Sequence, residues 1–272
     1  MDLQHLTQIA IKAALAAGKI IQNALHKEVI IEKKQGGTGY ASQVVTAVDV
    51  ACEKVIFSYL KPTCTAFNIA LLSEETEDDF SRFEKEFFWC VDPMDGTLAF
   101  INKQAGFSVA IALVAQDGTP QIGVVFDPST NNLYYAIKNK STYKNHEKWI
   151  VTSNNNHLTY VTDKTLANTP SKAKIKEILQ HQMKALKLQS LQEISGAGSV
   201  LNAILVAENS PAIMLKFPKK EKGGGSIWDF AATACIFQEL GLQATNFTGG
   251  PLALNPKESS FMNFDGIFYG SI

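Results

Sequence analysis

The segment FFWCVDPMDGTLAF, Phe87 to Phe100, ends an apolar run with two carboxylates three residues apart, Asp92 and Asp95. Carboxylates repel each other and resist desolvation, so this pattern calls for a cation. Other acids stand at comparable points: Asp49 at the start of a helical pattern, Glu74 and Glu75 after the apolar run FNIALLS, and Asp229 at the start of another helix. Each alone has an ordinary explanation. Thr46-x-x-Asp49 and Ser226-x-x-Asp229 both match a capping box. Asp92-Pro93 and Asp95-Gly96 are common turn dipeptides, and EETEDD (74–79) suits a solvated loop.

The combination changes the weighing. Carboxylates at the ends of apolar strands sit where α/β folds put ligand sites. Oxygen donors without His or Cys suit Mg²⁺, which binds through one or two carboxylates plus water and substrate phosphate. His5, His26, His146, His157 and His181 all lie outside these motifs, which argues against zinc. Asp-x-x-Asp can offer both carboxylates and an intervening carbonyl to a pair of cations. Gly96 lets backbone approach a ligand closely. Amides at the start of a short helix after it could bind phosphate, and Thr97 could steer a water. There is no GxxxxGK[ST], and GAGSVL (196–201) lacks the third glycine of a dinucleotide loop. GGTG (36–39) is a weak signal and reads as a mobile loop.

The elements around these residues follow from periodicity. The stretch LTQIAIKAALAAGKIIQNAL has apolar residues at helical spacing, interrupted by Lys12 and Lys19, and no basic leader. It reads as an amphipathic helix, not a signal peptide or membrane span. VIIEKK (29–34) reads as a short strand and QGGTGY (35–40) as a loop. Thr46 to Leu60 reads as a helix ending before Pro62. FNIALLSEE (67–75) reads as a strand. FSVAIALVA (107–115), QIGVVFD (121–127) and LYYAIK (133–138) read as successive antiparallel strands joined by Asp117-Gly118 and DPSTNN. From about Ser153 helices and strands alternate, as in α/β layers. Helices are expected over 171–182, 199–207 and 226–240, the last stopped by Gly241, with a strand over 212–217 and a basic, Gly-rich loop over 218–225. A boundary near residue 150 divides the chain into two halves, 1–150 with most of the acidic motifs and 151–272 completing the site.

With 272 residues, 46% hydrophobic, the chain suits a globular protein. Its net charge of −1 gives no basic field for a nucleic-acid polymer. Cys52, Cys64, Cys90 and Cys235 form no CxxC pair and read as small residues of a reducing, cytoplasmic protein.

The order VTAVD (45–49), LLSEE (71–75), WCVDPMDGT (89–97), GAGS (196–199) and IWDFAA (227–232) resembles the inositol monophosphatase superfamily, from the N-terminal helix to about residue 250. The resemblance implies an α/β fold, a layered αβαβα sandwich with the active site between its halves. It also implies a lithium-sensitive, Mg²⁺-dependent phosphomonoesterase with two or three metal ions. Carried over by position, Glu74, Asp92, the Met94 carbonyl, Asp95 and Asp229 match the metal ligands. Thr97 with Glu74 or Asp49 matches the pair that orients the attacking water. Gly96, Thr97, Gly198, Ser199 and Lys216 are the matching substrate contacts. The partner implied is a small phosphorylated metabolite bound by a monomer or homodimer, without membrane attachment.

The substrate turns on local departures. Inositol monophosphatases usually have an acid seven residues before the Trp-Asp aspartate; here Lys222 stands there. DGTLAFI is closer to the DGTxxF[IL] of bisphosphate nucleotidases than to DGTxNFxH. LKFPKKEKGGGSIWD (215–229) resembles the nucleotidases' strand, basic loop and Ile-Trp-Asp, with Lys216 where they often carry Arg. These features favour a 3′(2′),5′-bisphosphate nucleotide as substrate, with inositol 1-phosphate as the alternative. A sugar bisphosphate is a less favoured substrate, and a phosphatase-like binding protein without catalysis fits less well because every expected ligand is present.

Overall fold

The computed structural model describes residues 1–25, 31–33, 44–153, 156–262 and 264–272. The chain opens with α1 (Leu3–Ala24), capped by the Asp2 carboxylate, which accepts from the amides of Gln4 and His5. A two-stranded antiparallel pair, β1 (Ile31–Lys33) and β2 (Val44–Thr46), leads into α2 (Ala47–Phe67). The expected loop at 35–40 lies outside the described residues, as does part of the strand expected over 29–34.

α2 does not stop before Pro62; the proline lies inside the helix. A proline there removes one helical hydrogen bond, but the last turn is held by tertiary contacts. Thr63 is buried, and its hydroxyl accepts from the indole N–H of Trp89 at 2.9 Å. The helix ends at Asn68 in the left-handed region, so Phe67 belongs to it and the strand expected from 67 begins only at Ala70.

A seven-stranded sheet follows: β3 (Ala70–Ser73), β4 (Phe87–Asp95), then, after α3 (Thr97–Ile101), β5 (Ser108–Ala115), β6 (Pro120–Asp127), β7 (Asn132–Ile137), β8 (Ser141–Lys144) and β9 (Glu147–Lys148). The strands are ordered as in the chain, β3 parallel to β4 and the rest an antiparallel meander. A five-stranded mixed sheet takes the remainder: β10 (His157–Thr162), α4 (Lys172–Leu186), β11 (Ser190–Ser195), α5 (Ser199–Glu208), β12 (Ala212–Lys216), α6 (Ile227–Leu240), β13 (Gln243–Thr245) and β14 (Ile267–Ser271). Its order is β11-β10-β12-β14-β13.

The central strands of both sheets are buried on both faces, which explains the unbroken apolar runs in antiparallel strands. Along β4 the side chains alternate. Trp89 and Val91 pack with Leu6, Ala10, Ile56 and Leu60 of α1 and α2. Phe88 and Cys90 face the other way, onto Ala231, Cys235 and the central helices α5 and α6. That same central layer meets Val161, Met214 and Tyr269 of the smaller sheet. The outer face of the smaller sheet, Leu158, Tyr160, Ile213 and Leu215, is covered by Ile175 and Leu179 of α4. The result is an α/β sandwich of αβαβα layers. No helix among the described residues is long and apolar enough to cross a membrane.

Candidate active site

Asp92 and Asp95 lie inside β4, not beyond it: pairing with β5 continues through Asp95 opposite Ser108. In a regular strand, residues three apart point to opposite faces. Here the register shifts between Asp92 and Asp95, three steps on β4 against two on β5, from Ala110 to Ser108. That extra residue is a bulge. It turns both carboxylates toward one side, and the sequence marks it with Pro93, since proline within a sheet is confined to edges and bulges.

α6 brings Asp229 to the same place. One carboxylate oxygen from each of Asp92, Asp95 and Asp229 lies within 4.8 Å of the others. Asp92 and Asp95 are buried, at 1% and 7% exposure. Glu74 follows β3, its amide bonded to the Val91 carbonyl at 3.1 Å, and its carboxylate contacts that of Asp92. Desolvation, then Glu74, pushes the Asp92 carboxyl well above the ordinary carboxylate range. Desolvation and Asp229 do the same to Asp95, partly offset by the amide of Val200. Asp229 is pushed up to about 7 by burial and then by Glu74. Such a cluster is unfavourable without positive charge. The donors are all oxygen and convergent, Asp92 and Asp95 buried and Asp229 partly so, which fits a hard divalent cation.

The backbone is shaped to hold this cluster. Asp95 accepts from the amides of Ser199 at 3.2 Å and Val200 at 2.8 Å, at the start of α5. A Cβ at Gly198 would collide with the Asp95 carboxylate, so only glycine allows this approach. Gly96 caps α3 at φ 83° and supplies no side chain for the helix's first amides, which a helix start leaves without intrahelical partners.

Both capping boxes are real, and they serve the site as well. Asp49 Oδ2 accepts from the Thr46 amide and hydroxyl at 2.7 and 2.6 Å, while Oδ1 lies 3.2 Å from Thr97 Oγ1. Thr97 Oγ1 is also 3.2 Å from the Met94 carbonyl. Asp229 Oδ2 accepts from the Ser226 amide at 2.5 Å. The helix starts therefore fix the orientation of carboxylates that face the cluster.

Lys216, at the end of β12, brings a cation near the cluster. Its ammonium lies 2.6 Å from Asp163 Oδ2 and 3.0 Å from Ser199 Oγ. Burial draws its pKa down, but Asp163, Asp229 and Asp95 together leave it raised, so it stays charged. The structure thus brings together Asp49, Glu74, Asp92, Met94, Asp95, Thr97, Gly198, Ser199, Lys216 and Asp229. Asp163 was not singled out from sequence; its one signal is its place just past a strand end.

The inositol monophosphatase family profile matches residues 2–264. The chain belongs to the inositol monophosphatase family. Its members are metal-dependent phosphomonoester hydrolases acting on small phosphorylated substrates, and this chain is one of them. It is 29% identical over 264 residues to the 3′(2′),5′-bisphosphate nucleotidase CysQ of Escherichia coli O157:H7, covering 96% of each chain. It is 30% identical to inositol monophosphatase 2 of Solanum lycopersicum, covering 95% of this chain and 90% of that one. Among solved structures of the family, CysQ of Bacteroides thetaiotaomicron superposes with a TM-score of 0.77 at 24% identity, over 99% of this chain and 98% of that one.

Proposed function

We propose that the protein is a Mg²⁺-dependent 3′(2′),5′-bisphosphate nucleotidase, releasing phosphate from a nucleotide such as adenosine 3′,5′-bisphosphate. The observation that carries this reading is Lys216, an ammonium 15% exposed whose charge is felt by Asp95 and Asp229. A substrate with a second, uncleaved phosphate needs such a partner. Inositol 1-phosphate presents neutral hydroxyls instead, and Lys222 occupies the position where an acid would suit them. The CysQ relative of 29% identity supports the choice. The inositol monophosphatase of 30% identity keeps inositol 1-phosphate as the alternative.

Glu74, Asp92, Asp95, Asp229 and the Met94 carbonyl would hold two or three Mg²⁺ ions. Bound there, the ions would neutralise charge on the phosphoryl oxygens and lower the pKa of the attacking water. Thr97 donates its one hydroxyl proton to Asp49, which leaves its lone pairs to accept from that water and aim it at phosphorus. Asp49 or Glu74 takes the proton the water loses. The water oxygen bonds to phosphorus, the ester P–O bond breaks, and the departing oxygen is protonated to give an alcohol and inorganic phosphate. Gly96, at φ 83° and with the Gly106 carbonyl where a Cβ would sit, makes the turn from which the opening amides of α3 would meet the phosphoryl group. Buried, unpaired Cys52, Cys90 and Cys235 support a cytoplasmic setting.

Phosphate release in Mg²⁺ from adenosine 3′,5′-bisphosphate, inositol 1-phosphate and fructose 1,6-bisphosphate tests the reading. The bisphosphate nucleotide should give the highest kcat/KM; preference for inositol 1-phosphate would replace it with the alternative. LiCl should inhibit at millimolar concentration where matched NaCl does not.

A further inference from the structure

β10 and β12 run parallel and adjacent, with Val161 opposite Met214, so Asp163 just beyond one strand and Lys216 at the end of the other meet at the same edge. The Asp163 carboxylate is gripped at both oxygens, Oδ2 by Lys216 at 2.6 Å and Oδ1 by the Asn202 amide at 2.9 Å. Asn202 is fully buried and is itself anchored by donating to the Ala197 carbonyl at 3.0 Å. Asp163 is therefore not a passing surface partner of the lysine. Its side chain is 48% exposed against 15% for Lys216, so the carboxylate is the more open partner of the pair. A phosphate that binds the Lys216 ammonium does so beside this carboxylate.

We propose that Asp163 is a specificity-determining residue acting through Lys216: it occupies the ammonium that a second, uncleaved substrate phosphate would use, and so sets the preference between bisphosphorylated and monophosphorylated substrates. This rests on the phosphomonoesterase reading above and deepens it. An ammonium has three donors. Asp163 and Ser199 engage two in this structure. A phosphate can add to the third or displace Asp163, and either way the carboxylate's negative charge opposes it. Removing that charge while keeping the shape should favour the bisphosphate selectively.

The test compares adenosine 3′,5′-bisphosphate with adenosine 3′-monophosphate, which differ only in the uncleaved phosphate. kcat/KM is measured for both in wild type, Asp163→Asn, Asp163→Ala, Lys216→Ala and the Asp163→Asn/Lys216→Ala double variant, with circular dichroism and Tm as folding checks. In Asp163→Asn the ratio of bisphosphate to monophosphate kcat/KM should rise about tenfold, through KM, a change of about 1.4 kcal/mol. In the Lys216→Ala background the Asp163 substitution should leave the ratio where it was. Should Asp163→Asn fail to fold, Asp163→Ala carries the comparison. An unchanged ratio, or a rise that persists without Lys216, overturns the proposal. A wild type that cleaves inositol 1-phosphate but neither nucleotide overturns the nucleotide reading instead. The same variants then decide the role of Asp163 on inositol 1,4-bisphosphate against inositol 1-phosphate, by the same ratio.

Discussion

Thr97 Oγ1 stands 3.2 Å from Asp49 Oδ1 and 3.2 Å from the Met94 carbonyl oxygen. A hydroxyl has one proton and so can satisfy only one of these acceptors at a time. If the carbonyl is engaged by a cation, the proton goes to Asp49 and the hydroxyl's lone pairs become available to a water. Thr97→Val keeps the shape and loses this function. Its kcat should fall by about 10²–10⁴-fold, the range for positioned proton transfer, with little change in Tm. Thr97→Ser should recover most of it. Near-wild-type turnover in the valine variant would remove Thr97 from the chemistry.

Asp92 offers the cleaner test of the carboxylate cluster. Asp95 also holds the start of α5 through two amides, whereas Asp92 accepts from the Met94 amide at 3.1 Å, a bond an asparagine oxygen retains. Asp92→Asn should abolish most phosphatase activity in saturating Mg²⁺. In chelator its Tm should equal or exceed that of wild type, because a buried like charge has been removed. A large drop in Tm would make Asp92 a structural residue first.

The pH dependence of the metal-free protein has a definite sign. The Asp229 carboxyl is raised from 3.8 to about 7 by burial and Glu74, and Asp92 and Asp95 are raised in the same direction. Between those values the folded chain binds more protons than the unfolded chain, so stability falls as pH rises. The contribution is fully present below pH 3.8 and lost as pH passes about 7. In chelator, Tm should therefore drop between pH 5.5 and 8. Added Mg²⁺ should raise Tm more at pH 8 than at pH 5.5, since binding to the ionised cluster is linked to folding. Equal Mg²⁺ shifts at both pH values would contradict this.

The acids that converge, Asp92, Asp95 and Asp229, were legible only in combination, since each alone reads as an ordinary turn or cap residue. The elements were legible where burial is on both faces, as in β4 to β7. What the sequence hid was tertiary. Pro62 reads as a helix stop, yet the Trp89–Thr63 hydrogen bond holds the helix beyond it. Pro93 reads as a turn after a strand, yet it marks a bulge inside β4 that aligns Asp92 with Asp95. The partner of Lys216 lies 53 residues away in sequence. Only the parallel pairing of β10 and β12 brings Asp163 to it, and no local pattern encodes that.

Glu53 provides the last prediction. It lies one helical turn beyond Asp49 on α2 and is 8% exposed. Its Oε2 accepts from the Thr76 hydroxyl at 2.9 Å, while Oε1 is buried and has no hydrogen-bond partner among the described residues. Thr76 follows Glu74 by two residues, so this bond ties the Glu74 loop to the helix that carries Asp49. A bond to a charged acceptor contributes about 1.5–3 kcal/mol, and stranding that acceptor adds a desolvation cost. Thr76→Val should therefore lose about 1–3 kcal/mol of stability and loosen Glu74. Its Mg²⁺ half-saturation should move to higher concentration, with kcat largely restored when Mg²⁺ saturates. Glu53→Gln removes the buried charge, so the double variant should be less damaged than the sum of the singles, as expected for contacting residues. The measurements are urea denaturation of the four proteins and Mg²⁺ titrations of their activity. Additive stabilities together with an unmoved Mg²⁺ half-saturation would show that Glu53 and Thr76 do not act together on the Glu74 loop.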